Sequence, residues 1–155
     1  LLRLGQLEQA RSEYLALLEL CVADELGCRY PLSSLYALQG EWQALQDLLV
    51  RFDEASSWLL YNKALMTFVC AGAEAAQPLL SAAIKANAHV PACLLGQRKL
   101  PKQEPHSWQA GSRDEAALYT LQSRRSLFFG KAVFGLGEIV LMVALEAPVF
   151  SRMSL

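Results

Sequence analysis

The chain has 155 residues, of which 54% are hydrophobic and 19% are charged, against a charged share of about 25% in ordinary globular proteins. This length and composition fit one folded domain with a sizeable core and exclude a disordered or fibrous chain. With 14 basic and 15 acidic residues the net charge is -1, which excludes general binding to nucleic acid or anionic membranes by charge alone.

The first predicted helix follows Gly5, and residues 1–5 read as the end of an earlier helix because glycine often closes one. We therefore expect the sequence to be a fragment of a longer chain. A pattern that begins at Gly5 recurs from Gly40, 35 residues later, close to the tetratricopeptide period of about 34 residues. The first copy is carried by Leu7, Ala10, Tyr14, Leu17 and Leu20, and the second by Trp42, Leu45, Leu49 and Phe52.

Apolar side chains at helical spacing predict three more helices in the first two-thirds of the chain. Pro31 and Pro78 fall near the start of two of them, where a missing N–H costs little. The predicted elements are a helix over residues 29–39, a helix from Trp58 through Phe68, a turn at 71–73 and a helix over about 74–86.

The sequence changes character after residue 86. Pro91 predicts extended backbone at Val90, and a short helical turn over 93–96 precedes a polar loop over 97–111. A loop of this length in a compact domain is often functional.

Ser112 followed by Glu115 is a capping box, which starts a helix that we expect to run through about Arg125.

These elements predict an all-α fold, an antiparallel helix-pair solenoid of about two and a half tetratricopeptide-like repeats with a capping region. Stacked helix pairs bury the apolar stripe that one pair leaves open. We divide the chain into helical repeats over 1–93, a loop over 94–111, and a capping helix with an apolar tail over 112–155.

Residues 87–96, NAHVPACLLG, followed by a proline-containing loop and by GSRDEA at 111–116, resemble a family of tetratricopeptide-like proteins. Members carry Asn-Pro-His-Val-Pro, a Leu-Leu pair, and a Glu-Ala helix after a gap. A eukaryotic membrane-protein family, suppressor of tumorigenicity, is similar over the same stretch. The matching positions are His89, Val90, Pro91, Leu94, Leu95, Gly96 and Glu115.

The resemblance implies an all-helical repeat protein with an interaction role and no established catalysis. Two departures stand out. Ala88 replaces the family's proline, and the Trp-bearing helix expected after Arg125 is missing.

The tail over 132–150 is charged only at Glu138 and Glu146. Its length approaches the roughly 20 residues of a membrane span, but buried carboxylates disfavour one. A buried capping helix is preferred, and a gene-model artefact is the other alternative.

No residues are assigned to catalysis, a cofactor or a metal. His89 and Cys93 have helical spacing for a zinc pair, and His106 completes the set for a metal enzyme, but packing roles are preferred. The four cysteines form no Cys-x-x-Cys pair and are predicted to be free, buried thiols. This points to a reducing compartment, and we predict a cytoplasmic protein.

The predicted function is a helical-repeat scaffold or adaptor that binds a protein or peptide. The first helix of each repeat lines the concave groove, which would place Tyr30, Ser34, Leu59 and Lys63 in it. The alternative is a structural segment of a larger enzyme or membrane-associated protein, in which these positions pack against further repeats.

The charge divides unevenly, with a net -4 over residues 1–93 and a net +3 over 94–155. The basic third fits either an acidic partner or a solvated loop. Arg98, Lys99 and Lys102 are too few for a nucleic-acid footprint and lack interleaved aromatics.

Overall fold

The computed structural model describes residues 7–127, with the side chains of 125–127 excepted. This part of the chain forms seven α-helices and no strand, so the predicted all-α class is confirmed. The helices are α1 (Leu7–Leu20), α2 (Arg29–Gln39), α3 (Trp42–Arg51), α4 (Ser57–Ala71), α5 (Ala73–Ala86), α6 (Val90–Leu94) and α7 (Arg113–Leu127). The predicted helix end over residues 1–5 and the apolar tail over 132–150 lie outside the described residues.

The buried face of helix α1 includes Leu18 in place of Leu17, which the repeat pattern contains. Leu7, Ala10 and Leu18 are buried, whereas Leu17 and Leu20 are exposed by 37% and 84%. The prediction for Leu17 and Leu20 is therefore wrong. The stripe from Leu7 and Ala10 continues through Tyr14 to Leu18, which places Leu17 and Leu20 toward solvent.

Helix α2 has the predicted bounds and is the hub of the described fold, because it packs against α1, α3, α4 and α7. The carboxylate of Asp24, itself buried, begins the helix by accepting the N–H groups of Cys28 at 2.7 Å and Arg29 at 3.0 Å. Gly40 ends it at φ 70°, a conformation that costs glycine little, and the N–H of Glu41 bonds back to the Tyr36 carbonyl.

Helices α4 and α5 form a hairpin around Gly72, at the predicted turn. Trp58, Tyr61 and Leu65 on α4 are buried in the main core, and Leu80 covers them from α5. Pro78 is exposed and is the sixth residue of α5, so it lies just beyond the first turn, where a missing N–H costs least.

A buried hydrogen-bond network joins α2, α4 and α7. The Asn62 amide donates to the hydroxyls of Ser33 at 2.8 Å and Ser34 at 3.2 Å, and its carbonyl oxygen accepts from the Tyr119 hydroxyl at 3.1 Å. Trp58 donates its indole N–H to Ser34 at 2.8 Å. Because each of these groups is buried and bonded, the network fixes the relative register of three helices.

The segment around Pro91 is helical, so the prediction of extended backbone at Val90 is wrong. Val90 is the first residue of α6 and Pro91 the second. Proline fits the first turn of a helix, where no N–H partner is needed. The almost complete burial of Val90 supplies a packing gain that the local preference for extended backbone does not offset.

Each of the helices α1 to α5 contacts the next one along the chain, and α2 also contacts α4. Stacking of these pairs as tetratricopeptide repeats stays a prediction. Within residues 7–127, no helix has both the length and the apolar character that a membrane crossing requires.

Candidate functional site

The four predicted groove residues do not share one surface. Ser34 is buried, and its hydroxyl is already bonded to Trp58 and Asn62. Leu59 and Lys63 line one pocket of about 270 Å³ between the end of α3 and α4. Tyr30 lines a separate cavity of about 360 Å³. The structure therefore brings Leu59 and Lys63 together and places Tyr30 and Ser34 elsewhere.

The cavity beside Tyr30 is bordered by a packed aromatic cluster. The ring centroids of Tyr30, Trp58 and Trp108 are separated by 5.3 to 5.9 Å. These are direct contact distances between rings, so no cation fits between them as in an aromatic cage. The cluster serves the core, and Trp108 anchors the end of the long loop to α2 and α4.

The segment with the family resemblance folds into a buried corner between α5, α6 and α7. One carboxylate oxygen of Glu115 accepts the Asn87 side-chain amide and the N–H of Gly111, both at 2.8 Å. Asn87 also donates to the Ser112 carbonyl at 2.9 Å and accepts the N–H of His89 at 3.0 Å. We call Asn87, Gly111, Ser112 and Glu115 the polar corner.

The predicted capping box is formed by half. The Ser112 hydroxyl accepts the N–H of Glu115 at 3.1 Å, as predicted. The Glu115 carboxylate does not return to the N–H of Ser112 but to that of Gly111. Gly111 has φ +76°, and a Cβ there would come within 3.1 Å of the Ala86 carbonyl oxygen. Glycine is thus required where the loop meets α5.

The other family-motif positions have two roles. Some pack the polar corner against the core, and others lie where the chain leaves it. Val90 and Leu94 are buried, Pro91 and Leu95 are half-buried, and Gly96 is exposed after the helix end. Beyond Gly96 the N–H groups of Gln97 and Arg98 both bond to the Ala92 carbonyl, at 2.9 and 3.2 Å. The loop over 97–111 is therefore fixed at both ends.

A cationic groove lies between this loop and the start of α7, with a volume of about 490 Å³. We call it the basic groove. Its lining combines apolar side chains, which form the floor, with cations at the rim, and Asp114 is the one carboxylate among the described residues that line it. The apolar lining residues are Cys93, Leu100, Pro101 and Ala117, and the cations are Arg98, Lys99, Lys102 and Arg113.

The cations of the basic groove are not neutralised by the described protein. Between residues 7 and 127, no ion pair joins any of the four to a carboxylate. Arg98 lies 3.2 Å from the Nδ1 atom of His89. Partial burial and the positive charges of Arg98 and Arg113 lower the pKa of His89, so the imidazole is neutral at pH 7 and accepts from the guanidinium.

The thiol of Cys93 brings no negative charge to the groove. Burial raises the pKa of Cys93, and the opposing effect of Arg98 and Arg124 is smaller. All four cysteines are free, and Cys28 and Cys93 are buried as predicted. The prediction of a buried thiol is wrong for Cys70, which is exposed because it lies on the outer face at the end of α4.

Sequence reasoning missed the basic groove because Arg113 is distant from the other cations along the chain. The loop cations were visible, and the net +3 of the C-terminal third was the signal for an acidic partner. The fold supplies the rest, since the polar corner brings the start of α7 beside the loop. Arg113 then faces Lys99 and Lys102 across an apolar floor.

The residues of the metal alternative do not converge. His89, Cys93 and His106 belong to no group of three or more potential metal ligands within the described part of the chain. His106 is exposed in the loop, whereas Cys93 is buried.

Comparison with family models, curated proteins and solved structures found no match to this chain. The resemblance to tetratricopeptide-like proteins therefore stays a prediction.

Proposed function

We propose that this chain is a non-catalytic helical interaction module, a scaffold or adaptor that binds a protein or peptide. The observation that carries the proposal is the basic groove, an open cleft of about 490 Å³ that the polar corner holds in place. A groove preformed by buried contacts binds a flexible segment without ordering the protein first.

The use of the polar side chains supports a binding role over a catalytic one. Catalysis needs a nucleophile or acid–base pair that substrate can reach. Here Ser33, Ser34 and Asn62 are buried in structural hydrogen bonds, and Glu115 is buried in the polar corner. The free cysteines support a reducing compartment such as the cytoplasm.

One observation favours the alternative, a structural segment of a larger enzyme or membrane-associated protein. Leu20, Val22 and Leu26, all within seven residues at the end of α1, are exposed by 84%, 73% and 71%. Exposed apolar side chains in a cluster often mark a contact with other protein. In this alternative they are covered permanently by another part of the same molecule.

Selection from a random peptide display library on the whole 155-residue chain tests the interaction role. We expect enriched peptides that bind the folded chain saturably at one-to-one stoichiometry and do not bind the heat-unfolded chain. Failure to enrich any such peptide contradicts the proposal. If the enriched peptides lose their binding when Leu20, Val22 and Leu26 are changed to serine together, they bind the exposed apolar side chains, and the structural alternative is favoured instead.

A further inference from the structure

The basic groove has a chemical pattern that selects among polypeptide partners. Its cations lie around the opening, and Leu100 and Ala117 contribute apolar surface to the floor. Lys99, Lys102 and Arg113 are exposed. None of them forms an ion pair with a described carboxylate, and four cations against the single described carboxylate of Asp114 leave the groove with a positive charge that an anionic ligand can neutralise.

We propose that the basic groove binds an acidic segment of a partner polypeptide, with carboxylates over the exposed cations and one apolar side chain on the floor. The inference rests on the proposed interaction function and names the chemistry of its partner. Charge complementarity fixes the acidic character, and the apolar floor requires that the segment carry at least one apolar anchor between its acids.

The lining residues argue against two other anions. Among the described residues no aromatic side chain lines the groove, so this lining lacks the stacking surface on which single-stranded nucleic acid is held. A compact inorganic anion would satisfy only part of a cationic rim and would leave the apolar floor uncovered. A segment with alternating acidic and apolar side chains satisfies both.

Arg98 and the three exposed cations have different parts in this binding. Arg98 is half-buried, its side chain contacts His89, and its backbone N–H is fixed to the Ala92 carbonyl. It offers a pre-oriented guanidinium, which binds carboxylates with directed hydrogen bonds. The lysines contribute mainly long-range attraction, which raises the association rate and weakens with salt.

The test uses the full chain and the fluorescein-labelled, amidated peptide Asp-Glu-Asp-Leu-Glu-Asp-Glu, with binding followed by anisotropy. We expect saturable binding that weakens about tenfold between about 50 and 300 mM NaCl. Replacing the central Leu by Ser should weaken binding about threefold or more, because the floor loses its apolar contact. Replacing every acid by its amide should abolish it.

A charge-matched pair of variants locates the binding. The groove variant carries Lys99→Ala with Lys102→Ala, and the control carries Lys85→Glu, which changes the net charge by the same amount at an exposed lysine that does not line the groove. Both lose the same net charge. We expect about a tenfold loss of affinity for the groove variant and about twofold or less for the control. Far-ultraviolet circular dichroism confirms that both keep their helices.

Three outcomes would overturn the inference. Equal losses in the two variants would show a net-charge effect without a site. Tighter, groove-dependent binding of polyuridylate or of anionic vesicles would assign the groove to nucleic acid or membrane. A library-selected peptide that binds the groove variant as well as the wild type would leave the interaction function standing and reject the groove as its site.

Discussion

The polar corner and the basic groove are neighbours built from the same segment, yet they treat charge in opposite ways. In the polar corner Glu115 is buried and receives two N–H groups. In the basic groove Lys99 and Lys102 are exposed and have no ion pair among the described residues. The buried carboxylate of the polar corner stabilises the fold, whereas the exposed cations of the basic groove are the groups that we propose bind a partner.

The largest effect that separates the two regions should come from Glu115→Ala. This change removes the acceptor of the half-buried Gly111 N–H and leaves the buried Asn87 amide with only one of its two acceptors, the Ser112 carbonyl. We expect the free energy of unfolding, measured with urea, to fall by about 2–4 kcal/mol. The neighbouring Asp114→Ala is the matched control, and because Asp114 is exposed it should cost about 1 kcal/mol or less. If both variants lose a similar free energy of unfolding, the polar corner does not stabilise the fold more than its exposed surroundings do.

Glu115→Gln then asks whether the charge or the hydrogen bonding matters. The amide oxygen can take the place of the oxygen that accepts both N–H groups. The other carboxylate oxygen is buried and has no partner within the described residues, so the amide nitrogen gains none. We expect a loss smaller than that of Glu115→Ala, at about 1–2 kcal/mol in the same titration.

Tyr119→Phe breaks the buried network at a single bond. Burial raises the pKa of Tyr119, which keeps its hydroxyl protonated and able to donate to Asn62. Loss of that donor leaves the Asn62 oxygen buried, and we expect about 1–2 kcal/mol of destabilisation by thermal or urea unfolding. Tyr14→Phe is the control, since no hydrogen bond of the Tyr14 hydroxyl is found within residues 7–127, and it should be close to neutral. An equal effect in both would contradict the role of the network.

Acid should weaken the link between α2 and the start of α4. Burial raises the pKa of Glu54, but interactions with Ser56, Arg29 and Tyr30 together lower it by more, so the folded pKa lies below 4.5. The unfolded carboxyl then binds protons more readily, and the stabilisation is present above about pH 4.5 and lost as the pH falls through the folded pKa.

Urea midpoints of the wild type and Glu54→Gln between about pH 6 and pH 3 measure this effect. We expect the variant to lose less stability on acidification than the wild type. Asp53 is an exposed neighbour without an ion pair within the described chain, and Asp53→Asn is the control, whose urea midpoint should change with pH as that of the wild type does. If the urea midpoint of Glu54→Gln changes with pH as steeply as that of the wild type, the contribution of this carboxylate is refuted.

The smallest effect on stability should come from the basic groove itself. Lys99→Ala with Lys102→Ala removes two exposed charges that contact no carboxylate, so the free energy of unfolding should change by about 0.5 kcal/mol or less. A loss above about 1 kcal/mol in urea would show that the groove is part of the structural frame.

The local signals in the sequence predicted most of the helices. The bounds of α2 follow from its apolar period and from Gly40, and the turn at Gly72 and the Ser112 cap were also visible. Two predictions were wrong because tertiary packing outweighed a local pattern. Leu17 is exposed although the repeat pattern includes it, and Val90 is helical although a proline follows it. Spacing alone does not say which side of a helix its neighbours will cover.

The candidate site was harder to predict because it depends on contacts between distant residues. Ser34 was assigned to an accessible groove, whereas its hydroxyl meets Trp58 and Asn62 from α4 inside the core. Arg113 joins the loop cations only because Glu115 holds Gly111 against α5. Neither pairing leaves a local trace in a single sequence.

The loop over 97–111 has both ends fastened, one at the Ala92 carbonyl and the other at Glu115 and Trp108. The exposed side chains between these ends, Lys99, Lys102 and His106, take no part in either fastening, so substitutions there should leave the helices in place. Evolution and engineering can therefore change the surface chemistry of this loop while the helical frame stays as it is.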